Sequence, residues 1–314
     1  MLIIACSENT YGQNSSHLTA NNTVGDIVSH HAFSGFGERM LPQDNNSSNY
    51  NTRLANVSAL MPYHQNVNPA DVVNALNQMI DEVQNNKIIF YDFYTAGQKR
   101  TNRAAENTGL FFFRGKPGAP FVIVCPGGGW QYVGSLHEGF PIALEISKKG
   151  YNAFVIRYRT GGEQIACEDL AAAIAYIHAN ARTMEVNTEN YSLWGFSAGA
   201  RMAARLSSNI TKSNDGTAAY GPSVLPKPTT AVIAYTGHSD FTINDPPTFT
   251  IVGERDGIAP PSAMERRVNA MRAAGIPVEF HRFPNVGHGF ALGTGTSAAG
   301  WIDNAVRFWE RYQN

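Results

Sequence analysis

The feature that most constrains the fold is a regular alternation of strand-like and helix-like segments, which begins near residue 87 and continues to the end of the chain. Continuous apolar runs, such as Phe-Val-Ile-Val from residue 121 and Ala-Val-Ile-Ala from residue 231, are typical of strands buried on both faces of a sheet. Strands that alternate with helices favour a parallel sheet with helices on both sides. We therefore predict an α/β fold with a mostly parallel sheet, and antiparallel pairing among the first two or three strands, which short links join.

The pattern places these elements along the chain as follows. Strands are predicted at residues 87–94, 110–114, 120–125, 153–158, 191–195, 230–236, 248–252 and 278–283. Helices are predicted at 142–149, 169–181, 198–208, 261–274 and 297–311. A Gly- and Pro-rich insertion at 212–228 is expected to form a surface loop.

The first 86 residues differ in character from the remainder. Residues 7–60 are rich in Asn, Ser, Thr and Gly, and their weak periodicity predicts a flexible or loosely packed arm. Residues 71–84 carry apolar residues at helical spacing, which fits either an ordinary packed helix or a cap over a functional site. We therefore divide the chain into an N-terminal arm with a candidate helical cap (1–86) and a second domain (87–314).

Composition excludes some classes of partner. Hydrophobic residues make up 43% of the chain and charged residues 16%, which suits a globular protein with a large core. The formal net charge is −1, so nothing in the charge balance indicates a nucleic-acid partner. No run of about 18 apolar residues is present, so no transmembrane segment is expected. The pattern fixes no oligomeric state.

The cysteines and the N-terminus bear on the cellular compartment. Three cysteines, an odd and small number, argue against a disulfide framework, and none lies in a Cys/His cluster with metal-ligand spacing. We expect Cys125 and Cys167 to be small buried hydrophobes. Residues 1–6, Met-Leu-Ile-Ile-Ala-Cys, resemble the end of a bacterial lipoprotein signal, but the charged region that precedes such a signal is missing. Two locations therefore stay open: the cytoplasm, or export with a lipid anchor.

The strongest chemical signal is the pentapeptide Gly195-Phe196-Ser197-Ala198-Gly199. It stands between a predicted buried strand and a predicted helix, the setting in which a serine on a sharp turn becomes an exposed nucleophile. The glycines allow close approach of the backbone, and the helix directs its positive end toward the reacting oxygen. A second serine in a similar sequence, Ser239, is followed by Phe241 and by no helix, so Ser197 is the predicted nucleophile.

A glycine loop supplies the second element of the site. The strand at 120–125 runs directly into Pro126-Gly127-Gly128-Gly129-Trp130. Bare backbone N–H groups at a strand end are suited to bind the oxyanion of a tetrahedral intermediate. We predict that Gly128, Gly129 and Ala198 are the oxyanion donors. Trp130 and Tyr132 are candidate lining residues of the substrate pocket, although each also fits ordinary packing.

The acid and the base are predicted from their positions after strands. Asp256 lies on a tight loop after the strand at 248–252, and His288 lies between two glycines after the last strand. Ligands and catalytic groups gather at the carboxyl ends of strands in open α/β sheets. The order Ser197, Asp256, His288 is the order expected for a triad on this kind of fold. The residues that compete for these roles are His238, His281, Asp240 and Glu254.

These four motifs together resemble the α/β-hydrolase superfamily, and within it the hormone-sensitive-lipase-like and acetyl-esterase, carbohydrate-esterase-like group. The resemblance covers about residue 87 to the end, and it implies an α/β-hydrolase catalytic domain there. It also implies that Ser197 is the nucleophile, His288 the base and Asp256 its orienting acid. Many lipase-like members carry His before the glycines, whereas this chain has Pro126. The Pro-Gly-Gly-Gly form resembles acetyl- and feruloyl-esterase-like members.

The sequence therefore predicts a serine carboxylic-ester hydrolase that acts on short-chain acyl esters, such as acetyl or feruloyl groups on plant polysaccharide. The expected substrate is a small-molecule or carbohydrate ester, and the expected chemistry requires no cofactor and no metal. Three alternatives stay open: a serine peptidase of the prolyl-oligopeptidase type, an acyltransferase with the same triad, and a non-catalytic α/β-hydrolase-like binding protein.

Overall fold

The computed structural model describes residues 16–44, 47–208 and 225–313. The strands are β1 (Phe90–Tyr91), β2 (Gly109–Phe113), β3 (Pro120–Cys125), β4 (Asn152–Arg157), β5 (Asn187–Phe196), β6 (Thr230–Ala234), β7 (Thr248–Gly253) and β8 (Val278–Phe283). The α-helices are α1 (Val24–Ser29), α2 (Pro69–Gln84), α3 (Ala96–Thr101), α4 (Phe140–Lys148), α5 (Glu163–Met184), α6 (Ala198–Ser208), α7 (Pro261–Ala273) and α8 (Trp301–Glu310). Short 3-10 segments lie at His31–Phe33, Gly37–Met40, Ser47–Asn49, Leu54–Leu60 and Arg103–Asn107, and a π-helical turn lies at Ser135–Gly139.

The eight strands form one sheet in the order β1-β2-β4-β3-β5-β6-β7-β8. β2 is antiparallel to both of its neighbours, and every pair from β4 to β8 is parallel. The prediction of a mostly parallel sheet with antiparallel pairing at one edge is therefore confirmed. The register pairs Cys125 with Gly195, and Gly195 with Ile233, so the carboxyl ends of β3, β5 and β6 lie side by side. The predicted glycine loop and the predicted nucleophile start from this edge.

The central strands are buried on both faces. Every residue of β2, β4, β6 and β7 is buried, and successive residues of a strand point to opposite faces of the sheet. Both faces must therefore be covered, as the apolar runs predicted. α4 packs against α8, and α5 packs against α6.

The N-terminal segment is packed more tightly than its composition suggests. The loosely packed arm predicted at 7–60 is wrong for the described residues from 18 onward. The side chains of Val24, Ile27, Phe33 and Leu54 are fully buried. The start of α1 is fixed by Thr23, which forms a capping box with Asp26. The division of the chain at residues 86 and 87 stays a prediction.

One buried arginine ties this segment to the sheet. Arg157, at the end of β4, has no exposed side-chain surface. Its Nη1 donates to the carbonyl oxygens of Leu41 (2.7 Å) and Pro42 (3.1 Å), and its Nη2 donates to the carboxylate of Asp44. Pro42 also accepts from the backbone N–H of Val133, in the loop after β3. The segment is thus fixed beside the loop that carries the glycines.

The helix predicted at 71–84 is α2, and it behaves as an ordinary packed helix along its buried face. Its N-cap is Asn68, whose side chain accepts from the N–H of Ala70, and Pro69 opens the first turn. The buried residues are Val72, Ala75, Leu76, Met79 and Ile80. This face packs against α4, so α2 extends the helical layer on that side of the sheet.

Several boundaries differ from the prediction. The strand expected at 87–94 is only Phe90–Tyr91, the two residues that pair with Phe111 and Leu110 of β2. The helix expected at 169–181 extends over Glu163–Met184, and the one expected at 297–311 is confined to Trp301–Glu310. Gly300, in a left-handed conformation, precedes that last helix.

Cys125 and Cys167 are buried and free, as predicted. No helix in the described part of the chain has the length and apolar character needed to span a bilayer. The lipoprotein-like residues 1–6 and most of the loop expected at 212–228 lie outside the described residues.

Candidate active site

Ser197 occupies the turn between β5 and α6. Its φ of 51° lies in the left-handed region, which is uncommon for a residue with a Cβ and marks a strained backbone. The turn is held on both sides: the N–H of Ser197 donates to the carbonyl of Ala234 (3.0 Å), and its carbonyl accepts from Ala200 (3.1 Å). The sharp turn lifts the hydroxyl off the end of the sheet, as the pentapeptide predicted.

The three residues predicted as a triad lie in one hydrogen-bonded line. Nε2 of His288 lies 2.8 Å from Oγ of Ser197, and Nδ1 of His288 lies 2.8 Å from Oδ2 of Asp256. The imidazole can therefore accept the serine proton at Nε2 while it donates from Nδ1 to the carboxylate. His288 and Asp256 are 2% and 5% exposed, which limits competition from water for these hydrogen bonds.

The carboxylate of Asp256 is held by its own loop. Its Oδ1 accepts from the backbone N–H groups of Ile258 (2.9 Å) and Ala259 (2.7 Å). This leaves Oδ2 directed at His288. The tight turn after β7 thus fixes the orientation of the acid.

The glycine loop, which contacts Ser197 at Gly127, contains backbone N–H groups without a partner in the described part of the chain. Within the described residues, the N–H groups of Gly128, Gly129 and Ala198 donate to no other group of the chain. The N–H of Gly127, by contrast, is already bound to a carboxylate oxygen of Glu138 at 2.6 Å. The three residues predicted as oxyanion donors each keep a free N–H, and their role stays a prediction.

Glu138 is a buried charge that the sequence reasoning missed. It has no exposed surface, and it lies in the π-helical turn that precedes α4. Its Oε2 accepts from Gly127 and lies 3.0 Å from Nε2 of His64, and its Oε1 accepts from the hydroxyl of Tyr235 at 2.8 Å. Burial alone would raise the pKa of Glu138, but His64, His137 and the N–H of Gly127 lower that pKa to about 2.

Two histidines complete this cluster. The Nδ1 of His64 lies 2.9 Å from the hydroxyl of Tyr132, and the Nε2 of His137 lies 2.9 Å from the carbonyl oxygen of Gly289, next to His288. Burial lowers the pKa of His137 to about 4, so at neutral pH it is an uncharged donor to that carbonyl. The cluster lies behind the glycine loop and the loop of His288.

The two candidate lining residues differ in their placement. Trp130 is half-buried, has a φ of 63°, and packs edge-on against Tyr158 at a ring distance of 6.1 Å. Tyr132 is only 3% exposed, and its hydroxyl is bound to Tyr63 and His64. Tyr132 therefore supports the loop from behind, because its polar end faces the N-terminal segment. Trp130 stays a prediction for the pocket wall.

The competing residues have other partners. His281 lies on β8 and pairs with Glu279 at 2.8 Å, and Glu254 pairs with Arg282 at 3.7 Å. Asp240 is exposed and lies 3.4 Å from Arg205. His238 is buried after β6, and burial, reinforced by Arg267, lowers its pKa to about 4.

The sequence gives only a weak indication of the buried cluster around Glu138, which consists of His64, His137, Glu138 and Tyr235. Glu138 stands in the run Leu136 to Phe140, whose apolar residues are buried. A charged residue in such a run must find a partner, because a buried unpaired charge is costly. The partner, His64, lies 74 positions earlier, and no local pattern links the two.

Two family models match the sequence. The BD-FAE model matches residues 114–248, and the model of the prolyl oligopeptidase family matches residues 221–314. The first match holds the glycine loop and Ser197, and the second holds Asp256 and His288.

Two curated relatives match at low identity. Endo-1,4-beta-xylanase B of Butyrivibrio fibrisolvens is 26% identical over 57% of this chain and 34% of its own length. Acetylxylan esterase of Xylanibacter ruminicola is 26% identical over 58% of this chain and 43% of its own length. The chain thus spans less than half the length of these relatives.

Solved structures share the architecture. MGS-M1, an alpha/beta hydrolase enzyme from a deep-sea metagenome library, has a TM-score of 0.55 at 25% identity, and the match covers 65% of this chain and 92% of that one. An acetyl ester-xyloside bifunctional hydrolase from Caldicellulosiruptor lactoaceticus has a TM-score of 0.55 at 21% identity, covering 65% of this chain and 88% of that one. Both support the architecture read from the strand order.

Proposed function

We propose that the chain is a serine carboxylic-ester hydrolase of the α/β-hydrolase type, with Ser197 as its nucleophile. The observation that carries the proposal is the hydrogen-bonded line Ser197–His288–Asp256, with both distances at 2.8 Å. A buried imidazole between a serine hydroxyl and a carboxylate is the arrangement that activates serine for acyl transfer.

The proposed reaction has two steps. As Oγ of Ser197 attacks the ester carbonyl, its proton moves to Nε2 of His288, and the negative charge collects on the carbonyl oxygen. The imidazolium then gives this proton to the leaving alcohol, which leaves an acyl-enzyme. In the second step Nε2 takes a proton from water, the hydroxide attacks the acyl carbon, and the proton returns to Oγ as the acid departs.

The charges that develop have fixed partners. Asp256 stabilises the imidazolium through Nδ1 and holds the ring in the tautomer whose Nε2 is free to accept. The N–H groups of Gly128, Gly129 and Ala198 are the proposed donors to the oxyanion. Removing one such donor in a serine hydrolase costs about 10²- to 10³-fold in kcat.

The finer proposal concerns the ester. Short acyl groups on plant polysaccharide, such as acetyl or feruloyl groups, fit the Pro-Gly-Gly-Gly loop that starts at Pro126. They also agree with the names of the relatives, an acetylxylan esterase and a xylanase. We propose acetylated or feruloylated xylan as the substrate class.

Two measurements test the proposal. The full chain should hydrolyse p-nitrophenyl acetate, and Ser197→Ala should lose at least about 10³-fold of that activity while its thermal unfolding is unchanged. Activity should fall as the acyl chain of the p-nitrophenyl ester lengthens, and acetylated xylan should release acetate. Retained activity in Ser197→Ala would exclude Ser197 as the nucleophile.

A serine peptidase is the second candidate, favoured by the match of the prolyl oligopeptidase family to residues 221–314. The same triad cleaves amides, so the comparison must be quantitative. A peptide p-nitroanilide with proline before the cleaved bond should be turned over far less efficiently than the acetyl ester. The reverse order of kcat/KM would favour the peptidase.

A further inference from the structure

The first observation is that one buried carboxylate contacts both loops of the proposed site. The Oε2 of Glu138 accepts from the N–H of Gly127, the first glycine of the oxyanion loop, at 2.6 Å. A Cβ built at Gly127 would lie 2.8 Å from the Cβ of Ser197, so this point of the loop touches the nucleophile. A shift of Glu138 would therefore move the oxyanion donors relative to Ser197.

The other oxygen of the same carboxylate leads to the base. Oε1 accepts from the hydroxyl of Tyr235 at 2.8 Å, and that hydroxyl accepts from the N–H of Ala291 at 3.3 Å. The ring of Tyr235 packs edge-on against the imidazole of His288, with ring centroids 5.2 Å apart. Glu138 thus contacts the loop beside the nucleophile through Gly127, and it contacts the base His288 indirectly through Tyr235.

A carboxylate with no exposed surface requires polar partners, because a buried charge without them is costly. Besides Gly127 and Tyr235, the carboxylate has His64 as a neighbour, whose Nε2 lies 3.0 Å from Oε2. His64 is held on its other side by the hydroxyl of Tyr132 at 2.9 Å. His64 therefore reaches this carboxylate from the N-terminal segment and not from the sheet.

The next residue of the same segment reaches the loop of the base directly. The N–H of Gln65 donates to the carbonyl oxygens of His288 (3.1 Å) and Gly289 (3.3 Å). His64 and Gln65 together therefore join the two sides of the site, one through Glu138 and the other through the backbone of His288.

We propose that His64 is a positioning residue of this hydrolase. It fixes the buried carboxylate of Glu138, and Glu138 in turn keeps the oxyanion loop and the loop of His288 at fixed positions relative to Ser197. This inference rests on the proposed function. The N-terminal segment is then a working part of the active site, and its removal would disable catalysis even if the sheet remained folded.

The test uses His64→Gln and Glu138→Gln in the full chain, with kcat expressed per active site titrated by a fluorophosphonate. Each variant should lose about 10- to 100-fold in kcat, less than the loss of an oxyanion donor outright, with KM changed by less than about 3-fold. The affinity for a trifluoromethyl ketone should weaken by the same factor as kcat/KM, because its bound adduct presents an oxyanion to the same N–H groups. A purely structural role would lower the number of titrated sites but leave both values per site unchanged, and this result would overturn the proposal.

The control is His281→Gln. It removes a histidine paired with a carboxylate, Glu279, at a similar distance of 2.8 Å but on β8, away from the site. Its kcat and inhibitor affinity should equal those of the wild type. The double variant of His64 and Glu138 should lose no more than the worse single variant, since the two act as a unit. Additive losses would contradict the proposal.

Two outcomes separate this inference from the proposed function. If the wild type neither hydrolyses esters nor reacts with the fluorophosphonate, both fail. If the wild type is active and His64→Gln retains its kcat and inhibitor affinity, only the inference fails. Should His64→Gln not fold, Tyr132→Phe removes only the hydroxyl 2.9 Å from Nδ1, and it should still lower kcat about 3- to 10-fold with KM unchanged. An unchanged kcat in Tyr132→Phe would then overturn the inference.

Discussion

The carbonyl oxygen of Cys125 occupies the space in which a side chain on Gly199 would begin, because a Cβ built there would lie only 2.0 Å away. Cys125 ends β3, and Gly199 is in the first turn of α6. The contact therefore joins the start of the oxyanion loop to the helix that carries Ser197. Only a residue without a side chain permits this approach.

Gly199→Ala should consequently displace α6 from β3. The backbone carbonyl cannot yield as a flexible side chain would, so we expect a loss of about 3 kcal/mol in the free energy of unfolding, together with most of the esterase activity. Urea unfolding and p-nitrophenyl acetate hydrolysis measure the two effects. Gly97→Ala is the control: Gly97 lies in α3, its nearest neighbour would be 3.7 Å from the Cβ, and the change should be neutral or stabilise by up to about 1 kcal/mol. Equal effects of the two substitutions would refute the argument from Gly199.

Asp256→Asn should damage catalysis and spare the fold. The amide can still accept at Oδ1 from Ile258 and Ala259, but it presents its NH₂ to Nδ1 of His288 and favours the wrong tautomer. We expect kcat to fall by about 10³- to 10⁴-fold with little change in KM. Asp240→Asn, at an exposed carboxylate, should retain wild-type kinetics. A larger loss from Asp240 than from Asp256 would reassign the acid.

Acid should destabilise the protein well before its carboxylates titrate. Burial lowers the pKa of His137 and that of His238 to about 4, from an ordinary value of 6.5. As pH falls from 6.5 toward 4, the unfolded chain binds protons at these histidines and the folded chain does not, so stability decreases. Each histidine should cost about 2 kcal/mol at pH 5 relative to pH 7.

The pKa of Glu138 is lowered from an ordinary 4.5 to about 2. The free energy of unfolding should therefore continue to decrease at pH values below those at which the histidines act. The contribution of Glu138 to stability is complete above pH 4.5 and disappears as pH falls toward 2. Urea unfolding at a series of pH values measures this dependence of stability on pH. His238→Gln should flatten the dependence of stability on pH between pH 6.5 and 4. An unaltered slope in the His238 variant would contradict the assignment.

Arg157 should stabilise the protein more than an arginine on the surface. Arg157→Met leaves the carbonyl of Leu41 without its donor, removes one of the two donors to Pro42 and leaves Asp44 unpaired, and we expect a loss of about 3 kcal/mol in the free energy of unfolding. Arg39→Met removes a surface pair, Arg39 with Asp92 at 3.2 Å, and should cost less than about 1 kcal/mol. Limited proteolysis should also cut the N-terminal segment faster in the Arg157 variant. If the Arg157 and Arg39 variants had the same free energy of unfolding, the N-terminal segment would be held by contacts other than those of Arg157.

Much of the architecture could be predicted from local pattern. A mostly parallel sheet with an antiparallel edge follows from three local features. These are the apolar runs at β3 and β6, the helix that follows Ser197, and the short links before β3. These features are encoded by neighbours in sequence, through side-chain alternation and helical spacing. The N-terminal segment was misjudged because its short turns have no sustained periodicity, although its few apolar residues are deeply buried.

The sequence by itself determined which residues follow the strand ends: Ser197, Asp256, His288 and the glycine loop. Parallel strands bring such positions to one edge, so a candidate triad follows from order alone. Only the tertiary structure decided the 2.8 Å distances within it and the pairing of Glu138 with His64. That pairing joins residues 74 positions apart in the interior, where a buried carboxylate needs polar partners. No local pattern in the sequence records which residue meets this need.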